Sequence, residues 1–192
     1  MTKLRIFERT EYKRLLLLDA DFTIMHPMDE IFEDAQFANL TPTQFWREEQ
    51  VKEDEGLLPE EWLFAARPEH GHLHGHEHVV PPLPDFYANS GFLMIAPDRN
   101  MYNHLLDVMR IPNRFGTQFP DQDILNYVFR REGPMPWREI DWKWSSNFVN
   151  ERDVEMGVHA LHVKAWADGP QAVKDRWRQD QEDMIRLLGD FS

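Results

Sequence analysis

Apolar residues gather in short blocks separated by charged stretches, and the blocks alternate between two periodicities. Four leucines in a row, Leu15 to Leu18, run from Arg14 into Asp19-Ala20-Asp21. An apolar run this short, bounded by polar residues, predicts a fully buried strand. Phe92 to Ala96 predicts a second buried strand and Val158 to Val163 a third. Between them the spacing turns helical. Leu4, Phe7 and Tyr12 predict a helix just before the leucines, and Pro27, Met28, Ile31 and Phe32 a short helical turn with Asp29 near its start. Asp98 is placed to cap a helix whose apolar face is Met101, Leu105, Val108 and Met109. Ile124, Leu125, Val128 and Phe129 predict the next, closed by Arg130-Arg131 and Gly133. A last helix opens near Asp168-Gly169-Pro170, with Val173, Trp177, Met184 and Leu188 on one face. Buried strands alternating with helices predict an α/β fold. Residues 1–192 read as one domain without internal repeats.

Residues 47–61 carry seven acids against two basic residues and read as a solvated linker or exposed helix. Residues 65–82 read as a His/Pro-rich loop, within which five of the nine histidines occupy every second position from His70 to His78. Such a tract can take up a stray transition metal, but no acid or Cys framework surrounds it.

Composition narrows the function classes. The 192 residues, 42% of them hydrophobic and seven of them Trp, suffice for a real core. A net charge of -13 argues against nucleic acid and against an anionic membrane surface. The absence of Cys excludes disulfides, thiolate metal sites and a Cys nucleophile. No apolar stretch reaches the length of a membrane span, and the opening MTKLRIFERTEYKR has no apolar core of a signal peptide, so a cytoplasmic protein is expected.

The chemistry begins at Asp19 and Asp21. Two acids at i and i+2 of extended backbone point to one side, with the small Ala20 between them. Either they are solvated at a strand end, or they hold a divalent metal that offsets the cost of their burial. One metal-dependent chemistry is that of haloacid dehalogenase-like phosphatases. The string LLLLDADFT fits their first motif, with Asp19 as nucleophile, Asp21 as acid/base, Thr23 alongside and Lys164 as the lysine. The later acidic pair that chemistry needs is not found, since Gly189-Asp190 has nothing after it to fold around.

A second chemistry is supported at more than one place. The chain resembles glycosyltransferase family 8, the glycogenin-like and galactinol-synthase-like enzymes, over essentially its whole length. Lys3–Phe32 is similar to the family's helix, strand and Asp-x-Asp block; Phe86–Pro97 carries its Asn-Ser-Gly before a buried strand; Asp121-Gln122-Asp123-Ile124-Leu125-Asn126 resembles its helix start. His159-Ala160-Leu161-His162-Val163-Lys164-Ala165-Trp166 resembles its closing His…Lys-Pro-Trp. The resemblance implies a GT-A-like, Rossmann-related mixed sheet flanked by helices. It implies a metal-dependent, retaining transferase moving a hexose from a UDP-sugar donor to an unknown acceptor. Asp19, Asp21 and an imidazole would hold manganese or magnesium, His159 being preferred and His162, three residues on, the rival ligand; Lys164 would meet a phosphate oxygen. Asn89 and Ser90 would bind the sugar, with Asp121 and Gln122 at the transferred unit. Taken alone, His159 reads as a core histidine, Lys164 as a surface lysine, Asn89-Ser90 as a turn and Asp121 as a helix cap.

Two substitutions depart from the pattern: His162 stands where the family carries Gly, and Ala165 where it carries Pro. The family also begins with a nucleotide-binding half, so the resemblance implies an N-terminally truncated domain. Its leucine strand would then be an exposed apolar edge open to oligomer formation, and little turnover is expected of the 192 residues by themselves. A non-catalytic, degenerate relative serving as a binding or scaffold protein is the alternative. None of Tyr12, Tyr87, Tyr102 or Tyr127 is marked by its context as a self-glucosylation site.

Overall fold

A computed structural model describes residues 3–69, 75–164 and 169–189. Ala165 and Trp166 of the closing motif, and His70, His72 and His74 of the histidine tract, lie outside the described residues. In chain order the elements are β1 (Leu15–Leu18), β2 (Phe22–Ile24), β3 (Thr41–Pro42), β4 (Glu61–Trp62), β5 (Phe64–Pro68), β6 (Ala88–Ile95), α1 (Arg99–Met109), α2 (Pro120–Val128), β7 (Arg138–Glu139), β8 (Ser145–Asn147), α3 (Glu151–Glu155), β9 (Ala160–His162) and α4 (Gln171–Gly189). The helix expected before the leucines is a 3-10 helix, Lys3–Glu8, and the turn around Asp29 is another, Asp29–Glu33.

The expected α/β class is the one observed, with mixed sheets flanked by helices. The larger sheet runs β1-β6-β5-β7 and a three-stranded sheet runs β2-β9-β8. Among the described strands β5–β7 and β8–β9 are parallel, and β1–β6, β5–β6, β2–β9 and β3–β4 are antiparallel. β6 is buried along its whole length because it is covered on both edges and both faces. β1 departs from expectation: its leucines are only half-buried, since β1 ends the sheet and only β6 flanks it.

Each face of the larger sheet buries its own apolar layer. On one side Leu93, Ile95 and Phe64 meet α1 and α2 through Leu105, Val108, Ile124 and Leu125. Phe129 closes this layer, stacked on Phe64 with centroids 4.1 Å apart. On the other side Phe92, Met94 and Leu63 meet Ile31, Phe37, Ile140 and Trp144. α1 starts where its sequence says it should, with the Asp98 carboxylate accepting from the Met101 amide at 2.7 Å.

Two expectations are refined and the described part of the histidine tract is accounted for. Residues 47–61 are largely exposed, as expected, and hold two short 3-10 helices, Phe45–Gln50 and Glu53–Glu55; the departure is Glu55, which is buried with its carboxylate taking hydrogen bonds from Arg114 and Tyr127. α4 buries Val173 and leaves Met184 and Leu188 exposed, so its apolar face is covered only at its start. The later part of the histidine tract is structural: the His76 Nδ1–H donates to the Val149 carbonyl at 2.9 Å, and Asn150 Nδ2 donates to the carbonyls of His76 and His78. No helix among the described residues is long and apolar enough to cross a membrane.

Candidate metal and phosphate cleft

The segment Asp19-Ala20-Asp21 is a turn, not a continuation of β1. It carries the chain from the larger sheet into the smaller one. The Asp19 amide donates to the Gly91 carbonyl of β6 at 2.9 Å, while the Asp21 carbonyl accepts from the Val163 amide after β9 at 2.9 Å. One acid is thereby fixed to each sheet. Trp177 of α4 steadies the turn by donating its indole N–H to the Ala20 carbonyl at 3.1 Å.

The imidazole that joins them is His162. Ligand atoms of Asp19, Asp21 and His162 lie within 4.8 Å of one another. His162 pairs with Phe22 across β2–β9 and stacks on its ring at 4.4 Å, beside Asp21. His159 is placed elsewhere, which corrects the reading that chose it. Three residues apart on extended backbone, the two histidines face opposite ways. The His159 Nδ1–H donates to the Pro27 carbonyl at 2.7 Å, and its ring packs on Trp144 and His26.

The polar contacts of His162 fix its tautomer. Asn147 Nδ2 donates to the Pro68 carbonyl at 2.6 Å, which turns Asn147 Oδ1 toward His162 Nδ1 at 3.0 Å. Nδ1 therefore carries a proton, and Nε2 is the atom 3.0 Å from Asp21 Oδ1. In the neutral ring that atom is a lone pair facing a carboxylate oxygen, a contact that only a cation between or upon them relieves. A proton or a divalent ion meets the need. Burial works to raise the Asp21 carboxyl, but the hydrogen bond and charge of His162 outweigh it and hold Asp21 below the usual carboxylate range.

These groups open into a cavity of about 490 Å³. Asp19, Asp21, Asn89, Ser90, Asp121, Gln122 and Lys164 all line it, so every site residue expected from the sequence except His159 shares one cleft. α2 brings in Asp121 and Gln122 with Pro120 at its first turn, where the helix dipole favours an acid. Gln122 Oε1 accepts from the Ser90 amide at 2.8 Å. Asn89 is largely engaged within the protein: Oδ1 accepts from the Gly91 amide at 2.7 Å, and Nδ2 donates to Glu69 at 2.6 Å. A Cβ at Gly91 would stand 2.7 Å from His162 Cε1, 2.8 Å from Asn89 Oδ1 and 3.1 Å from Asp19 Oδ2, so any larger residue forces these side chains to shift.

Two charged residues were not anticipated. Lys3, at the start of the first 3-10 helix, sets its ammonium 2.8 Å from Asp19 and 3.1 Å from Asp121, and donates to the Ser90 carbonyl. Glu69 lies buried under the cleft, accepting from Asn89, from Gln122 Nε2 at 3.0 Å and from Lys164 at 3.4 Å. Lys164 also rests on the Phe148 ring at 4.4 Å, and both residues hold positive φ, 43° and 55°. Non-glycine residues in that region cost about 1–3 kcal/mol each and persist where packing holds them.

No family model matches the chain. It is 26% identical over 191 residues to an uncharacterized protein of Schizosaccharomyces pombe, covering 88% of the chain and 49% of that protein. Galactinol synthase 1 of Solanum lycopersicum is 27% identical over 137 residues, which is 67% of the chain and 35% of the relative. Glycogenin of Komagataella phaffii is 24% identical over 132 residues, 69% of the chain and 24% of the relative. The chain spans about half the length, or less, of the relatives it matches. These likenesses support a distant relationship to glycosyltransferases of the family 8 kind.

Proposed function

We propose that the cleft binds a UDP-hexose with manganese or magnesium and serves its transfer, with retention, to an acceptor. The observation that carries this reading is the meeting of Asp19, Asp21 and His162 in the cavity that also holds Lys3, Lys164, Asp121 and Gln122. The kinship with galactinol synthase and glycogenin supports the same class.

The residues fit a divalent ion. Two carboxylates and an imidazole whose Nδ1 is already committed to Asn147 form a mixed oxygen and nitrogen donor set, which suits manganese at least as well as magnesium. Such an ion would supply positive charge at a leaving diphosphate. Lys164 adds a point charge with three donors, held by Glu69 until a phosphate oxygen replaces it. Lys3 orients Asp19 and Asp121 toward the same space. Ser90 and Asp121 offer a hydroxyl and a carboxylate to sugar hydroxyls. Asn89 and Gln122 keep the floor in shape through Glu69.

The test is a melting curve. Manganese plus UDP raises the midpoint of the wild-type chain and leaves Asp21→Ala unmoved; a wild type that does not respond ends the proposal. A second reading, donor binding without turnover, is favoured by Lys3, which already neutralises Asp19 and Asp121. Release of UDP from UDP-glucose or UDP-galactose, with water taking the hexose in place of the acceptor, separates the two, because only the enzyme releases it.

A further inference from the structure

Two aromatic residues, Phe119 and Trp177, line the cavity and are left unused by the donor reading. Phe119 stands directly before Pro120 and Asp121, and Asp123 locks its backbone from both sides. The Phe119 amide donates to Asp123 Oδ2 at 2.9 Å, and its carbonyl accepts from the Asp123 amide at 2.7 Å. The residue is thereby fixed beside Asp121 while 50% of its surface stays exposed. Trp177 is half-buried beside the other acids. Its indole N–H is committed to the Ala20 carbonyl at 3.1 Å, and it packs on the apolar cluster that includes Val163 and Val173. What Trp177 offers a ligand is therefore its ring and not its N–H.

The chemistry of the proposed transfer, on which this inference rests, says where an acceptor has to be. Retention puts the acceptor hydroxyl on the face of the anomeric carbon from which the diphosphate departs. The new bond joins the acceptor oxygen to that carbon, and the bond from the carbon to the phosphate oxygen breaks. Its electron pair leaves with the diphosphate, and the hydroxyl proton passes to a leaving phosphate oxygen. The acceptor must accordingly meet the hexose and the diphosphate together. In this cleft Ser90, Asp121 and Gln122 mark the hexose end, and Asp19, Asp21 and Lys164 the diphosphate end. Phe119 adjoins the first and Trp177 the second, so an acceptor that bridges the two ends meets both rings.

Aromatic faces are negative, and they attract the C–H bonds that line the face of a polyhydroxylated ring. A phenol in the same place would set one π face against another, the arrangement aromatic pairs avoid. Apolar walls with a few placed polar groups are what orients such a small molecule. We propose that Phe119 and Trp177 are the specificity-determining residues for the acceptor, and that they hold a polyhydroxylated ring, saccharide or cyclitol, by its C–H face.

Saturation-transfer NMR on the full chain with magnesium and UDP tests this, with maltose and myo-inositol as probes and a tyrosine-containing peptide for comparison. Ring C–H protons of at least one polyol are expected to take up saturation, and the one that does names the source. Phe119→Ala should weaken that polyol about fivefold or more, a loss of the size one stacked aromatic contributes, and Phe119→Tyr should restore it. Both variants should keep the rise in melting midpoint that magnesium and UDP produce. Because Trp177 also anchors α4, Trp177→Leu is the companion variant; it keeps the apolar packing, removes the π face and should weaken the polyol as well. A wild type whose midpoint ignores magnesium and UDP brings down the donor reading and this one with it. A wild type that responds to UDP but saturates neither polyol overturns this inference alone. So do preference for the peptide, a polyol that Phe119→Ala holds as tightly as the wild type does, and loss of the UDP response in Phe119→Ala, which would assign that ring to the donor.

Discussion

Exchanging one histidine at a time separates the two candidate imidazoles. With manganese and UDP at about a hundred times the dissociation constant, binding adds about 2.7 kcal/mol to the stability of the folded state. For a domain of this size each kcal/mol moves the midpoint by about 2–4 °C, so the ligand-induced rise should be roughly 5–11 °C. His162→Ala removes the nitrogen that stands 3.0 Å from Asp21. Disturbing even a supporting partner of a metal ligand weakens binding about 10–100-fold, and losing the ligand itself belongs at the upper end. A hundredfold loss brings ligand and dissociation constant level, leaving about 0.4 kcal/mol and a rise of roughly 1–2 °C. His162→Ala also strips Phe22 of a ring stacked at 4.4 Å, so each variant's own ligand-free midpoint is the baseline. His159→Ala should keep the full rise, because its ring is committed to Pro27 and Trp144. The opposite pattern, a rise kept by His162→Ala and lost by His159→Ala, would show the seating of the ion to be misread.

Gly91→Ala should abolish the same rise while leaving the circular dichroism unchanged, since the added methyl collides with His162, Asn89 and Asp19; a full response in that variant would mean that the cleft relaxes freely. Phe129→Ala empties a site shared with Phe64, Phe7 and Trp62, and urea unfolding should report a loss of about 3–5 kcal/mol. Burial pulls the His78 imidazole down, but Asp153 at 3.2 Å and the Val79 carbonyl outweigh it and raise it above its ordinary value of 6.5. Stability from this proton is fully present below that value and fades as pH rises through the raised one. His78→Gln should therefore cost more stability at about pH 5.5 than at about pH 8.5, and an equal cost at both would refute the assignment.

What could be read from the sequence was what sits in a local pattern. Asp19 and Asp21 follow an apolar strand, Asn89-Ser90-Gly91 lies where another begins, and Asp121-Gln122 opens a helix; each announces itself within a few residues. The choice between His159 and His162 depends instead on strand register, and only the pairing of His162 with Phe22 decides it. Lys3 and Glu69 have no local signature at all. They reach the cleft because a 3-10 helix and the end of β5 pack against β6, which is a property of the assembled sheet. Glu55 was misread for a related reason: its acidic neighbours imply solvent, while its partners Arg114 and Tyr127 are far along the chain.

The turn from Asp19 to Asp21 crosses from the larger sheet into the smaller one, bonded through backbone to Gly91 on one side and to Val163 on the other. An ion seated there would act as a rivet across that junction. If the proposed ion seats there, any slip of one sheet past the other would register as a change in its grip, and the affinity for the ion would gauge how well the two sheets are aligned.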